Sequence, residues 1–259
     1  NGSLPIFIGR ENEIEEIFRV IKGKRESVVL VGPVGVGKNA LLSHLAILMV
    51  KNQVPDELKQ KRLLCLSVEH LIVSDSESIV REQFLLMLDE VSQLKNIFLV
   101  FLHVNELPSD LAALLVNFLS LTSTCIIGTM TSFPSTEQFE SSELGHLFYK
   151  IHVEEPDTHT TIQILASHMK EIELQQSITF SHFALESCVY FSERYMHETF
   201  LPKKAIDIAY EVACYVRQKR GVNSHVIDED VAQIISIKTG VSATGMMLDR
   251  KKNSEKILC

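Results

Sequence analysis

Apolar and polar positions along the chain fall into two regimes. Up to residue 155, short apolar runs alternate with amphipathic stretches. "ENEIEEIFRVIKGK" sets Ile14, Ile17, Phe18 and Ile21 at helical spacing. "SVVLVG" reads as a short buried strand that runs straight into a Gly-rich turn, and "NALLSHLAILMVKN" as the helix that follows. The same alternation continues through "RLLCLSV" (strand), "REQFLLMLDEVSQL" (helix), "NIFLVFLHV" (strand), "DLAALLVNFLS" (helix), "TCIIGTM" (strand) and "FYKIHVEE" (strand). Strands separated by helices predict an α/β fold, a parallel sheet with helices on both faces. After Pro156 the strands stop. "DTHTTIQILASHMKEIE", "SHFALESCVYFSERY" and "PKKAIDIAYEVACYVRQKR" read as three helices with no strand between them, and "IDEDVAQIISIKTG" as a fourth with Asp228 as its N-cap. The expected organisation is therefore a large α/β domain over 1–155, a small helical domain over 156–240, and a polar linker over 241–259.

Composition narrows the function classes. Apolar residues make up 46% and charged residues 22% of the 259, so the chain has material for one large or two smaller cores. A net charge of −8 leaves no basic excess for nucleic acid or an anionic membrane. The five cysteines (Cys65, Cys125, Cys188, Cys214 and Cys259) are scattered without a CxxC pair, the pattern of buried thiols in a reducing compartment. No apolar run reaches the roughly 18 residues of a membrane span, and no signal-peptide pattern opens the chain. It begins "NGSLP" without Met, as expected of a piece of a longer protein.

The chemistry begins at "GPVGVGKN", residues 32 to 39. Strand before and helix after, this is a phosphate-binding loop in every position but the last. Gly32, Pro33, Val34, Gly35, Val36 and Gly37 would wrap backbone N–H groups around phosphates, Lys38 adds a point charge, and Asn39 and Ala40 open the helix. Asn39 stands where Ser or Thr normally ligates magnesium, so metal-assisted hydrolysis loses a ligand while binding need not. The other reading of the loop is a structural turn that no longer holds nucleotide. Hydrolysis also needs a carboxylate pair at the end of a buried strand. Asp89 and Glu90 fit the letters but belong to the amphipathic stretch Phe84, Leu85, Met87, Leu88 and Val91, and read as the solvated end of a helix. The better strand, "NIFLVFLHVNEL", ends instead in His103 and Val104, with Glu106 beyond it. His103 reads as a rim residue, and no metal ligands are assigned.

Several stretches together resemble one family. "FIGRENEIEEIFRVI", "VVLVGPVGVGKNALLSHLA", "VPDELKQKRLLCLSV", "HVEEPDTHTTIQIL", "ERYMHETFLPKKAID" and "DVAQIISIKTGV" are similar to the first ATPase module of Clp-type AAA+ unfoldases and disaggregases, over essentially the whole chain. The resemblance implies an AAA+ αβα P-loop domain followed by a small helical lid, with ATP or ADP as cofactor. It also implies assembly with Clp-type AAA+ subunits in a homo- or hetero-oligomeric ring acting on protein substrates, in the cytoplasm or the stroma of an organelle of bacterial origin. By position, Ile8, Gly9 and Arg10 match the segment at the adenine. Ile162 and Leu165 match lid positions over the base, and Pro202, Lys204 and Ile206 the lid stretch near the nucleotide. Ordinary helical core is the alternative for Ile162, Leu165 and Ile206.

Departures from the family accompany these matches. Asn39 replaces the magnesium hydroxyl, and His103 and Val104 replace the Asp–Glu pair. His146 and Leu147 stand where paired arginines complete a neighbour's site. The substrate-gripping loop becomes "SDSESI" (Ser74 to Ile79), without aromatic or basic residues. A polar residue survives near Thr131, beside Met130, where the family senses the γ-phosphate. "TGVSATGMM" resembles the junction to a second module. Another branch of the superfamily, the torsins, also carries Asn after the loop Lys, so Asn39 alone decides little. Together the losses imply a nucleotide-binding pseudo-ATPase with reduced magnesium dependence and an assembly or regulatory role. A weakly active ATPase using Glu106 or Glu90, and a nucleotide-free scaffold, are the alternatives.

Overall fold

Five strands lie side by side in the order β2–β3–β4–β1–β5, every neighbouring pair parallel. They are β1 (Ser27–Val31), β2 (Arg62–Ser67), β3 (Ile97–Leu102), β4 (Ile127–Met130) and β5 (Phe148–His152). The computed structural model describes residues 7–23, 26–73, 77–94, 96–122, 124–132 and 136–257. Central β1 and β4 are buried at every position, polar Ser27 and Thr129 included, as interior strands of a sheet covered on both faces are. β2 is equally apolar in sequence, yet it is the sheet edge, and Leu64 and Cys65 face outward.

The helices α1 (Glu11–Gly23), α2 (Lys38–Val50), α3 (Val68–Val73), α4 (Glu77–Leu94), α5 (Ser109–Leu121) and α6 (Thr136–Glu140) accompany this sheet. On α4 the buried stripe is Val80, Phe84, Leu88 and Val91, with Phe84 packed edge-on against Phe101 of β3 at 6.1 Å between ring centres. Leu85, expected in that stripe, is exposed. Its position lies one step off the 3.6-residue period that the four buried residues keep. Asp89 and Glu90 sit on the exposed side of α4, as a solvated helix end requires. Two single-turn 3₁₀ segments, Val104–Glu106 and Gly145–Leu147, and the short α3 and α6 are too brief for a periodic signal in sequence.

The chain divides into two compact units. One holds residues 10–33 and 38–154; the other holds the described residues from 155 onward, together with 7–9 and 34–37. The second unit is built from α7 (Thr158–Gln176), α8 (His182–Tyr195), α9 (Lys203–Arg220), α10 (Asp228–Thr239) and α11 (Ala243–Ile257). Its core is Leu165, Ile172, Cys188, Phe191, Ile208, Val212, Val231 and Ile235 with their neighbours, all deeply buried. Asp157 caps α7, its carboxylate accepting from Thr160 N at 2.6 Å, and Ser181 caps α8 through Ala184 N.

Three features of this unit depart from the sequence reading. Two-residue strands β6 (Thr179–Phe180) and β7 (His225–Val226) pair in parallel between the helices, a contact set by chain return rather than by local pattern. Asp228 is the first helical residue of α10 and not its cap; Asp230 is the acid that reaches back, accepting from Ile227 N at 3.0 Å. Residues 241–259, expected as a linker, are helical over Ala243–Ile257. Met246 is fully buried in the helical core, which gives that polar helix a docking face.

Candidate functional site

The Gly-rich loop follows β1 directly, at the carboxyl ends of the parallel strands, where open α/β sheets bind ligands. β1 has β4 on one side and β5 on the other, so the loop leaves from the interior of the sheet. Its first residues are tied down by the sheet. Gly32 N donates to Met130 O at 3.3 Å, and Gly32 O accepts from Ser132 N at 3.3 Å.

Lys38, the first residue of α2, is the chemical centre. It is 8% exposed, and its Nζ donates to Gly32 O at 2.6 Å and to Pro33 O at 2.9 Å. Burial pushes its pKa down from 10.5 to about 8. A desolvated ammonium facing neutral carbonyls is an unmet demand for an anion, because a phosphate would return the charge compensation that water no longer gives. Gly35 and Gly37 hold positive φ, +95° and +105°. A β-carbon at Gly35 would stand 2.8 Å from Lys203 Cβ at the start of α9, whose amide points to Gly35 O at 3.4 Å. Val34 is exposed and Val36 buried. Asn39 and Ala40 are exposed at the first turn of α2. These residues fit a phosphate chain.

They do not fit magnesium. Asn39 has no hydroxyl, and the end of β3 offers no carboxylate at the two positions where the hydrolytic pair belongs. His103 adopts the left-handed conformation (φ 59°, ψ 49°), with its N–H donating to Thr129 Oγ1 at 3.1 Å. Val104 turns inward, 1% exposed, and a β-carbon on Gly128 would stand only 2.7 Å from its Cγ1. The end of β3, where the sequence reading looked for a carboxylate, is thus closed by an apolar contact between the 3₁₀ turn and β4. Thr131 follows β4, half-buried, beside fully buried Met130.

The remaining sequence-derived residues separate into distinct environments. Arg10 is buried, donating to Glu13 Oε1 at 2.8 Å and to Glu154 O at 2.6 Å, so its guanidinium ties α1 to the chain after β5. Ile8 is half-buried. Gly9 is exposed at φ +76°, with no room for a β-carbon beside Thr160 Cγ2, 2.6 Å away. Leu165 is fully buried in the helical core, which is the core reading of that residue; Ile162 and Ile206 are half-buried against the same core. Pro202 is buried, and Lys204 pairs with Glu155 at 3.3 Å. His146 is exposed and Leu147 half-buried in the 3₁₀ turn before β5, lining a cavity of about 330 Å³ with Glu26 and Tyr149. Of the loop Ser74 to Ile79, Ser74, Asp75 and Ser76 lie outside the described residues. Glu77 to Ile79 form the exposed first turn of α4. Glu106, past the strand end, faces His103 Nδ1 at 3.5 Å.

Comparison with known proteins agrees with this architecture. Residues 157–257 match the family described as "AAA lid domain". The chain is 29% identical over 249 residues to the ATP-dependent Clp protease ATP-binding subunit ClpC of Staphylococcus epidermidis, covering 92% of this chain and 30% of that protein. It is 29% identical over 258 residues to a ClpA homolog of Cyanidium caldarium, with 94% and 30% covered. The chain therefore spans under a third of the length of these relatives. Among solved structures, the S. cerevisiae Hsp104–ADP complex superposes with a TM-score of 0.85 at 25% identity, covering 95% of this chain and 44% of that one.

Proposed function

We propose, from the premise that this chain is a Clp-family AAA+ module, that it binds ATP or ADP without productive hydrolysis and serves ring assembly or regulation. One observation supports the reading: a buried ammonium faces backbone carbonyls in the Gly-rich loop, while an apolar contact stands after β3, where the resemblance puts the carboxylate pair. Lys38 is buried and charge-starved at the end of β1, and Val104 is packed against Gly128 at the end of β3. Nucleotide binding draws support from a structural neighbour solved with ADP. Magnesium has lost both of its customary protein partners here, so the nucleotide is held mainly by backbone amides and Lys38.

Ring partners are Clp-type AAA+ subunits, copies of this chain or active paralogues, and any force on a protein substrate comes from those partners. The compartment is the cytoplasm or the stroma of an organelle of bacterial origin. Thiols at Cys65, Cys188 and Cys214 suit a reducing environment.

Calorimetry with ATP and ADP, together with a phosphate-release assay, tests the reading. Binding that Lys38→Ala abolishes, with no turnover above background, is the expected result. No heat and no thermal stabilisation at millimolar nucleotide would leave the loop a structural turn and the chain a scaffold. Turnover that Lys38→Ala removes would make it a weak ATPase. In a fluorescence assay with a tagged substrate protein, the chain alone should unfold nothing. An effect is expected only as a changed rate when an active Clp-type partner is added.

A further inference from the structure

Two parallel strands end side by side where the chain gathers a set of donors that the nucleotide chemistry does not use. Ser67 of β2 pairs with Leu102 of β3, so Glu69 and His103, just beyond those ends, emerge together. The 3₁₀ turn then brings Glu106 back beside His103, with Glu106 N donating to His103 O at 2.9 Å. One ligand atom from each of Glu69, His103 and Glu106 lies within 4.8 Å of the other two.

His103 is placed here by constraint. Its left-handed backbone and its N–H bond to Thr129 fix the Cα direction. Val68 and Val104, next in sequence to Glu69 and His103, are buried in one apolar core. The Nδ1 of His103 is shut off from solvent and makes no hydrogen bond among the described residues; Glu106 Oε1 stands 3.5 Å away. An imidazole nitrogen that has lost water and gained no donor or acceptor is a costly arrangement. Two carboxylates drawn together around it add mutual repulsion unless a cation lies between them.

We propose that Glu69, His103 and Glu106 form a binding site for a divalent transition ion of the zinc class. Zinc bonds to nitrogen and carboxylate oxygen run about 2.0–2.2 Å, so tetrahedral ligand atoms stand about 3.4 Å apart. His103 Nδ1 and Glu106 Oε1 already meet that spacing, and exposed Glu69 brings a carboxylate within 4.8 Å of the other two residues' ligand atoms. One imidazole and two carboxylates neutralise the ion and leave a fourth position to water. The imidazole disfavours magnesium and calcium, which prefer all-oxygen shells. Once bound, the ion would pin the 3₁₀ turn after β3 to the first turn of α3. The site stands apart from the nucleotide reading, and either can fail without the other.

The test is calorimetric titration of the tag-free chain, stripped with chelator and without nucleotide, using zinc chloride and then magnesium chloride. Cobalt absorption in the visible range serves as a second probe. About one zinc equivalent should bind, with magnesium failing to displace it. His103→Asn, chosen because Asn tolerates the left-handed turn, should weaken zinc at least about tenfold, the scale that loss of even a supporting group reaches. Glu106→Gln and Glu69→Gln should do the same, and the exposed control His182→Asn should not. Metal-free melting points identify any variant that fails to fold, and the remaining variants then decide. No saturable zinc binding, or zinc binding unchanged in the folded variants, would overturn the site. So would equal competition by magnesium.

Discussion

The Nζ of Lys38 donates to the main-chain oxygen of Gly32 across 2.6 Å, folding the ammonium back onto the loop that carries it. The contact holds a cation in a place that water scarcely reaches, and burial lowers its pKa to about 8. Between that value and its ordinary 10.5, the unfolded chain binds more protons at this site than the folded chain does. Stability therefore rises with pH across the window. The wild-type chain should gain stability relative to Lys38→Met between about pH 8 and about pH 10. Urea unfolding of both proteins over that range checks it, and a difference that stays flat or shrinks contradicts the burial argument.

Phosphate favours the charged form of the same group, so nucleotide and proton should bind together above about pH 8. ATP affinity is expected to fall as pH rises past that point, with proton uptake on binding. Calorimetry in two buffers of different ionisation heat measures the uptake directly.

Val104 Cγ1 leaves no room for a β-carbon on Gly128. Gly128→Ala should cost about 1–3 kcal/mol through overpacking, and Val104→Ala in the same chain should recover part of that loss. A double-mutant cycle from urea midpoints reads the coupling. Strict additivity would mean that the two residues do not share the space.

Restoring the hydrolytic residues meets the same contact. In Asn39→Thr, His103→Asp, Val104→Glu, the new glutamate must enter a position that is 1% exposed. The expected cost is about 2 kcal/mol or more, with phosphate release recovered in part at best. His146 and Leu147 would still leave a ring of such chains without the neighbour's arginines. Full activity in a stable triple variant would show that the site tolerates a carboxylate after all.

Lys204 is 5% exposed, its Nζ donating to Met196 O at 3.2 Å and facing Glu155 Oε1 at 3.3 Å. The same carboxylate oxygen accepts from Leu201 N at 2.6 Å, so these groups form one small network at the start of α9. Lys204→Met should destabilise the chain by about 1–3 kcal/mol with no nucleotide present. Thermal unfolding of the nucleotide-free protein measures this, and an effect confined to the nucleotide-bound state would assign Lys204 to the ligand instead.

Much of the architecture was legible along the chain because its signals are local. β1 is apolar after Ser27 and β3 is apolar throughout, as strands in the interior of a covered sheet tend to be, and the helices from α7 to α10 keep a 3.6-residue stripe. The loop from Gly32 to Lys38 was legible as a Gly-rich turn between a strand and a helix, and it does join β1 to α2. The end of β3 just before His103 and Val104 was equally readable, since the apolar strand before them is unmistakable.

Tertiary structure decided what depends on partners far apart in sequence. Nothing in "RLLCLSV" says that β2 is an edge, because an apolar run is the same string wherever the sheet order puts it. Polar "SATGMMLDRKK" gains a packed helix through Met246, Ala243 and Met247, whose pocket is made by other helices. Glu69 and His103 carry no joint signal along the chain. The parallel register of Ser67 with Leu102 makes them neighbours, and pairing between distant strands is a property of the whole sheet rather than of either segment.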